Sequence, residues 1–160
     1  MSVQDIDRGY KKLFEMAEKM SRKPYVKVGV VGNAAKERDD DGATVAEYAS
    51  YNEFGTENIP ERSFIRATID ERRNRLFGKA FQLQSAVLAG KMSLDLALDQ
   101  IGLLTQANIQ QKIEKLRDPA NAPSTVAAKG SSNPLIDTGR LRQSISYEKV
   151  KGGDDLGGAI

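Results

Sequence analysis

The sequence contains no histidine, no cysteine and no tryptophan. Without histidine, the side chain that most often moves protons at neutral pH is missing. Without cysteine there is no thiol nucleophile and no disulfide, and with both residues absent every zinc site built on thiolate or imidazole is excluded. The lack of cysteine also suits a reducing compartment such as the cytoplasm. Long apolar runs are missing too: no stretch approaches the roughly 18 residues that read as a membrane span. The N-terminal residues carry Asp5 and Asp7 and no apolar run, so they do not read as a secretory signal. These absences favour a protein that works by packing, hydrogen bonding and charge over one that works by catalysis.

What is present is a chain of 160 residues with 24 Lys and Arg against 22 Asp and Glu, a net charge of +2. This length predicts one domain spanning 1–160. The apolar share of 39% lies below the roughly 45–50% of ordinary globular chains, a benchmark that counts glycine and omits tyrosine. A thin core is expected, with full stability depending on surface buried against further copies or a partner. So small a net charge does not by itself indicate nucleic acid.

Along the chain, Ile6, Tyr10, Leu13, Phe14, Ala17 and Met20 recur at helical spacing, which predicts an amphipathic N-terminal helix within residues 1–23, closed by Pro24. The β-branched run Tyr25 to Val31 predicts a strand, and 33–42 a solvated loop. Thr44 is placed to cap a short helix that ends at Gly55, a position suited to a left-handed residue. Ser63 is placed to cap a long helix carrying Ile65, Ile69, Arg72, Leu76, Ala80, Leu83 and Val87, and Ser93 to cap a second that runs to about Arg117. At 1.5 Å per residue each long helix spans about 38 Å, and the short connection predicts an antiparallel pair. Gly102 inside the second helix marks a close crossing. Residues 118–134 read as a long loop, 144–150 as a strand, and 152–160 as a tail that frays.

A search for chemistry returns little. Glu37, Asp39, Asp41 and Gly42 match the start of a calcium loop, but its twelfth position falls on Tyr48, which has no carboxylate, so a solvated acidic loop is the better reading. Ser146 to Lys149 fits Ser-x-x-Lys without its companion elements and in a strand. Neither glycine-rich phosphate motif occurs. The basic cluster Arg62, Arg66, Arg72, Arg73, Arg75 and Lys79 is more prominent. On one continuous helix Arg62, Arg66 and Arg73 share a face, either a solvated one or a strip facing DNA phosphates or a neighbour's acids.

Two blocks carry a family likeness. Glu53-Phe54-Gly55-Thr56, continued by Ile59-Pro60-Glu61-Arg62-Ser63-Phe64-Ile65-Arg66, resembles the "E-F-G-T … I-P-x-R-x-F-[IL]-R" segment of tailed-bacteriophage neck and tail-completion proteins, the HK97 gp10-like and virion-morphogenesis group. Pro134-Leu135-Ile136-Asp137-Thr138-Gly139-Arg140-Leu141-Arg142-Gln143-Ser144-Ile145 is similar to that group's "P-L-x-D-T-G-x-L-x-x-S-I", and Pro123-Ser124-Thr125 with Lys129 to its "P-S-T … K" loop. Ser63 departs from the pattern, where proline is commoner. The resemblance implies a virion structural component without catalysis or cofactor.

Read physically, both blocks hold a fold together. Phe54 and Phe64 flank the Gly55-Thr56 turn and the extended Ile59-Pro60, so burial of both rings, at about 2–3 kcal/mol each, is expected to lock the short helix to the long one. In the second block Asp137 or Thr138 is expected to cap, Gly139 to take an unusual backbone angle, and Leu141 and Ile145 to be buried on one side.

The expected architecture is α+β: a small mixed or antiparallel sheet packed by two long antiparallel helices, with an N-terminal helix. The expected function is a neck, tail-completion or head–tail joining protein that forms a homo-oligomeric ring, a hexamer or dodecamer, at the head-proximal end of the tail. It would contact the adjacent connector and tail-tube proteins, and non-specifically the DNA in its lumen. Asp39, Asp40 and Asp41 facing Arg62, Arg66 and Arg73 of the next copy is the candidate seam. The rivals are a nucleic-acid-binding protein using the Arg-rich helix and a small hydrolase with two unrecognised acids.

Overall fold

The computed structural model describes residues 10–38 and 42–152. The first described helix, α1 (Tyr10–Ser21), is the C-terminal part of the expected N-terminal helix. Strand β1 (Tyr25–Val30) follows, then a 3-10 turn over Gly32–Lys36 in a stretch the sequence presents as loop. Helices α2 (Val45–Phe54), α3 (Arg66–Leu88) and α4 (Leu94–Lys115) come next. The expected long loop then contains a short helix, α5 (Pro123–Lys129), whose first position is a proline with the backbone angle a helix start needs. The chain ends in α6 (Arg140–Ser144) and strand β2 (Ile145–Val150).

The sheet has two strands, paired antiparallel from Tyr25 opposite Val150 to Val30 opposite Ile145. Helix α4 packs across both strands, and α3 packs on α4. The fold is therefore α+β, with two long helices against each other and the sheet. Gly102 explains how α4 approaches β2 so closely: a Cβ there would lie 2.5 Å from Cδ2 of Tyr147. The same strand is fastened to α4 by charge. Lys149 Nζ is 2.8 Å from Asp95 and 2.9 Å from Asp99, and the Tyr147 hydroxyl donates to Asp99 at 3.1 Å. Hydrogen bonding from Lys149 holds the Asp99 carboxyl below its ordinary pKa against the opposing effect of burial.

Caps set the helix starts where the sequence supplies them. Thr44 forms a reciprocal capping box with Glu47, and the Ser93 hydroxyl accepts from the Leu96 N–H at 3.1 Å. The core is thin and divided. One cluster joins Phe64, Ile109, Ile113, Leu135, Leu141 and Ile145, and a second joins Leu83, Val87 and Ala97 under Met16 of α1. The α3 stripe is only partly used: Leu83 and Val87 are buried, whereas Ile69 is exposed. Phe77, Phe81 and Leu88, on another face of α3, also remain exposed.

Candidate functional site

The corner between α2 and α3 is built on a residue whose role the sequence does not announce. Helix α3 has no acid in its first turn, and its N-cap, Ile65, provides no side-chain bond. The cap comes from α2. Glu53, 4% exposed, accepts from the N–H groups of Phe64 at 2.8 Å, Ile65 at 2.9 Å and Arg66 at 2.9 Å, and from the Ser63 hydroxyl at 2.8 Å. A carboxylate thus occupies the N-terminus of α3, where open N–H groups and the helix dipole favour negative charge. Burial works to raise the Glu53 pKa, but the N–H groups of Ile65, Arg66 and Phe64 and the Ser63 hydroxyl outweigh it, and the net shift is downward. Ser63 contributes to the start of α3 as well, accepting from the Ala67 N–H at 3.2 Å.

This arrangement corrects the expectation of two buried rings. Phe64 is fully buried, but Phe54 is 62% exposed and lies under the Arg66 guanidinium, 4.7 Å from its ring centroid. With Glu53 turned inward to reach the N–H groups, its neighbour Phe54 stays outside. Gly55 has the expected positive φ, but at φ 75 and ψ 169 it is not in the left-handed helical region. The Gly55 position is confined by the returning chain, since a Cβ would sit 3.0 Å from Glu61 N. Thr56 and Ile59 close the turn through a 2.8 Å backbone bond.

In the second block Leu141 and Ile145 are buried as expected. Asp137 and Thr138 do not cap: Gly139, at φ 80 and ψ −1, occupies the N-cap of α6 and leaves no side chain in that role. The anchor of this block is Asn133. Its amide donates to the carbonyls of Ile113 at 3.3 Å and Glu114 at 3.0 Å near the end of α4, and its oxygen accepts from the Leu135 N–H at 2.9 Å.

The basic strip is also redistributed. Arg62 precedes α3 and is buried at 6% exposure, so it shares no helical face with Arg66 and Arg73. Its Nε donates to the Pro119 carbonyl at 2.8 Å, and its Nη2 to the Ala120 carbonyl and to Asn121 Oδ1, each at 3.1 Å. Arg66 is held by Glu53 at 3.2 Å and Glu61 at 2.7 Å. Arg73 is exposed, 5.8 Å from the Phe77 ring centroid. Asp39, Asp40 and Asp41, the other half of the expected seam, lie outside the described residues.

All three segments that carry the family likeness line one cleft of about 600 Å³. Ile59, Pro60 and Arg62 come from the first block, Pro134 and Asp137 from the second, and Thr125 from the intervening segment. This convergence is the candidate site. Its surface offers hydrogen-bond donors, one buried cation and apolar walls, and among the described residues no group of three or more acids is placed to hold a metal ion. No described helix is long and apolar enough to cross a membrane. No family model, curated protein or solved structure matches the chain.

Proposed function

We propose that this chain is a structural protein of a tailed-phage virion: a neck, tail-completion or head–tail joining component, assembled in the host cytoplasm, that forms a homo-oligomeric ring at the head-proximal end of the tail. The observation that carries the reading is the convergence of the three resembling segments on one cleft, where Arg62 of the first block holds the chain at Pro119, Ala120 and Asn121. The apolar surface left open on α3 is consistent with a subunit that completes its burial against neighbours. A ring requires a heterologous interface, two different patches that meet head to tail. The nucleic-acid reading has less support, because Arg62 is buried and Arg66 is paired with Glu53 and Glu61. Negative-stain microscopy and light scattering of the purified protein, alone and with a tail-tube protein, are the test. Rings with a central opening are expected. A mass of one chain at every concentration in both conditions would overturn the reading.

A further inference from the structure

We propose that the Arg62 cleft is a receptor for an acidic polypeptide segment, and that Asp39–Asp41 of a second copy is the segment it receives. The inference rests on the homo-oligomer reading and names one seam of it. A guanidinium carries five N–H donors. Arg62 uses the one on Nε and the two on Nη2, all toward neutral oxygens, and the two on Nη1 have no hydrogen-bond partner among the described residues. No described carboxylate lies within ion-pair distance of Arg62, although Glu53 and Glu61 next to it both pair with Arg66. A cation at 6% exposure without a counter-charge is unfavourable in the lone chain and becomes favourable when a carboxylate arrives. Beside it, the Nδ2 of Asn121 is buried and has no hydrogen-bond partner, so a second donor is unused at the same place.

The cleft also selects among anions. Ile59, Pro60 and Pro134 provide apolar walls for a peptide backbone and its methylenes. A nucleic-acid strand gains its affinity by neutralising several phosphates, and this cleft is lined by one cation and by the carboxylate of Asp137. The complementary partner is written in the same chain. Asp39–Asp41 is its longest acidic run, and a receptor on one copy that takes a segment of the next is the kind of contact by which a ring closes head to tail.

The test is calorimetric titration of the full chain with an acetylated peptide reproducing residues 39–43. Binding that weakens with salt is expected, and replacing the three aspartates of the peptide by asparagine should weaken it about tenfold or more. Asp137→Asn, at an exposed position, should tighten binding by removing a like charge from the cleft, and Arg73→Gln should leave it unchanged. Arg62→Gln should abolish binding; if that variant does not fold, the peptide and Asp137 arms still decide. No binding, binding lost in Arg73→Gln, or displacement of the peptide by duplex DNA would each overturn the proposal. Rings that persist in the D39N/D40N/D41N chain overturn this seam and leave the ring reading standing. Peptide binding without rings overturns the ring reading and retains the acidic-segment receptor.

Discussion

Truncating Glu53 to alanine removes the acceptor for three backbone N–H groups and the Ser63 hydroxyl in one step. Hydrogen bonds to a charged group contribute about 1.5–3 kcal/mol each, but four on one carboxylate do not add, and water reaching the exposed Arg66 side recovers part of the loss. The relevant bounds are about 0.5–2 kcal/mol for losing an ordinary helix cap and about 3–5 kcal/mol for breaking a buried charged pair. Glu53 combines both, so Glu53→Ala should cost about 3–5 kcal/mol out of a total of about 5–15 kcal/mol. With a urea slope near 2 kcal/mol/M, the midpoint followed by circular dichroism should fall by about 1.5–2.5 M. Glu53→Gln keeps one acceptor oxygen and the volume, and should cost roughly half as much. The pH dependence provides a second readout. Because folding lowers the Glu53 pKa from its ordinary 4.5, its contribution is complete above that value and is lost as pH falls through the lower folded pKa. Glu53→Gln should therefore flatten the acid limb of the stability curve. A midpoint shift below about 0.5 M for Glu53→Ala, with an unchanged acid limb, would refute the claim that this carboxylate caps α3.

Three further substitutions test the packing. Phe64→Ala, at a fully buried ring, should cost about 3–5 kcal/mol, whereas Phe54→Ala, at a ring 62% exposed, should cost less than about 1 kcal/mol; equal melting shifts would contradict the corner described above. Gly102→Ala would gain about 1 kcal/mol of helix propensity in isolation, yet should destabilise by about 1–3 kcal/mol, because the new methyl meets the Tyr147 ring. A raised melting temperature for this variant would show that α4 and β2 are not in close contact. Thr44→Ala should lose about 1 kcal/mol with the capping box, measured by the same denaturant titration.

Periodicity and local cap chemistry made most of the fold legible. The spacing of apolar residues located α1, α3 and α4, Thr44 and Ser93 marked two helix starts, and the β-branched run from Tyr25 marked β1, whereas α5 lies in a stretch that reads as loop. Each of those signals is local in sequence. The corner was not local. Whether Phe54 or Phe64 is covered depends on which way α2 turns its last residues, and that follows from the demand of the α3 N–H groups for Glu53, ten or more positions away. The available clue was negative: α3 starts without an acid in its first turn. Arg62 was misplaced for a related reason. Reading it on the same helix as Arg66 and Arg73 extended α3 backwards by four residues, and its acceptors at Pro119, Ala120 and Asn121 are tertiary partners that no spacing rule supplies. Asn133 looked like one more polar loop residue, because its value lies in the α4 carbonyls it meets.

The pairing of β1 with β2 has a consequence for how the protein is made. Its partners, Tyr25 with Val150 and Val30 with Ile145, stand near opposite ends of the described chain, while the α3–α4 hairpin is joined by neighbours in sequence. On the ribosome the hairpin is available before β2, and β1 must wait until residues 145–150 have emerged before its partner exists. Until then the side of α4 that carries Gly102 has no Tyr147 to cover it. Formation of the sheet is therefore coupled to the appearance of β2, and a chain cut short before residue 145 has no partner for β1.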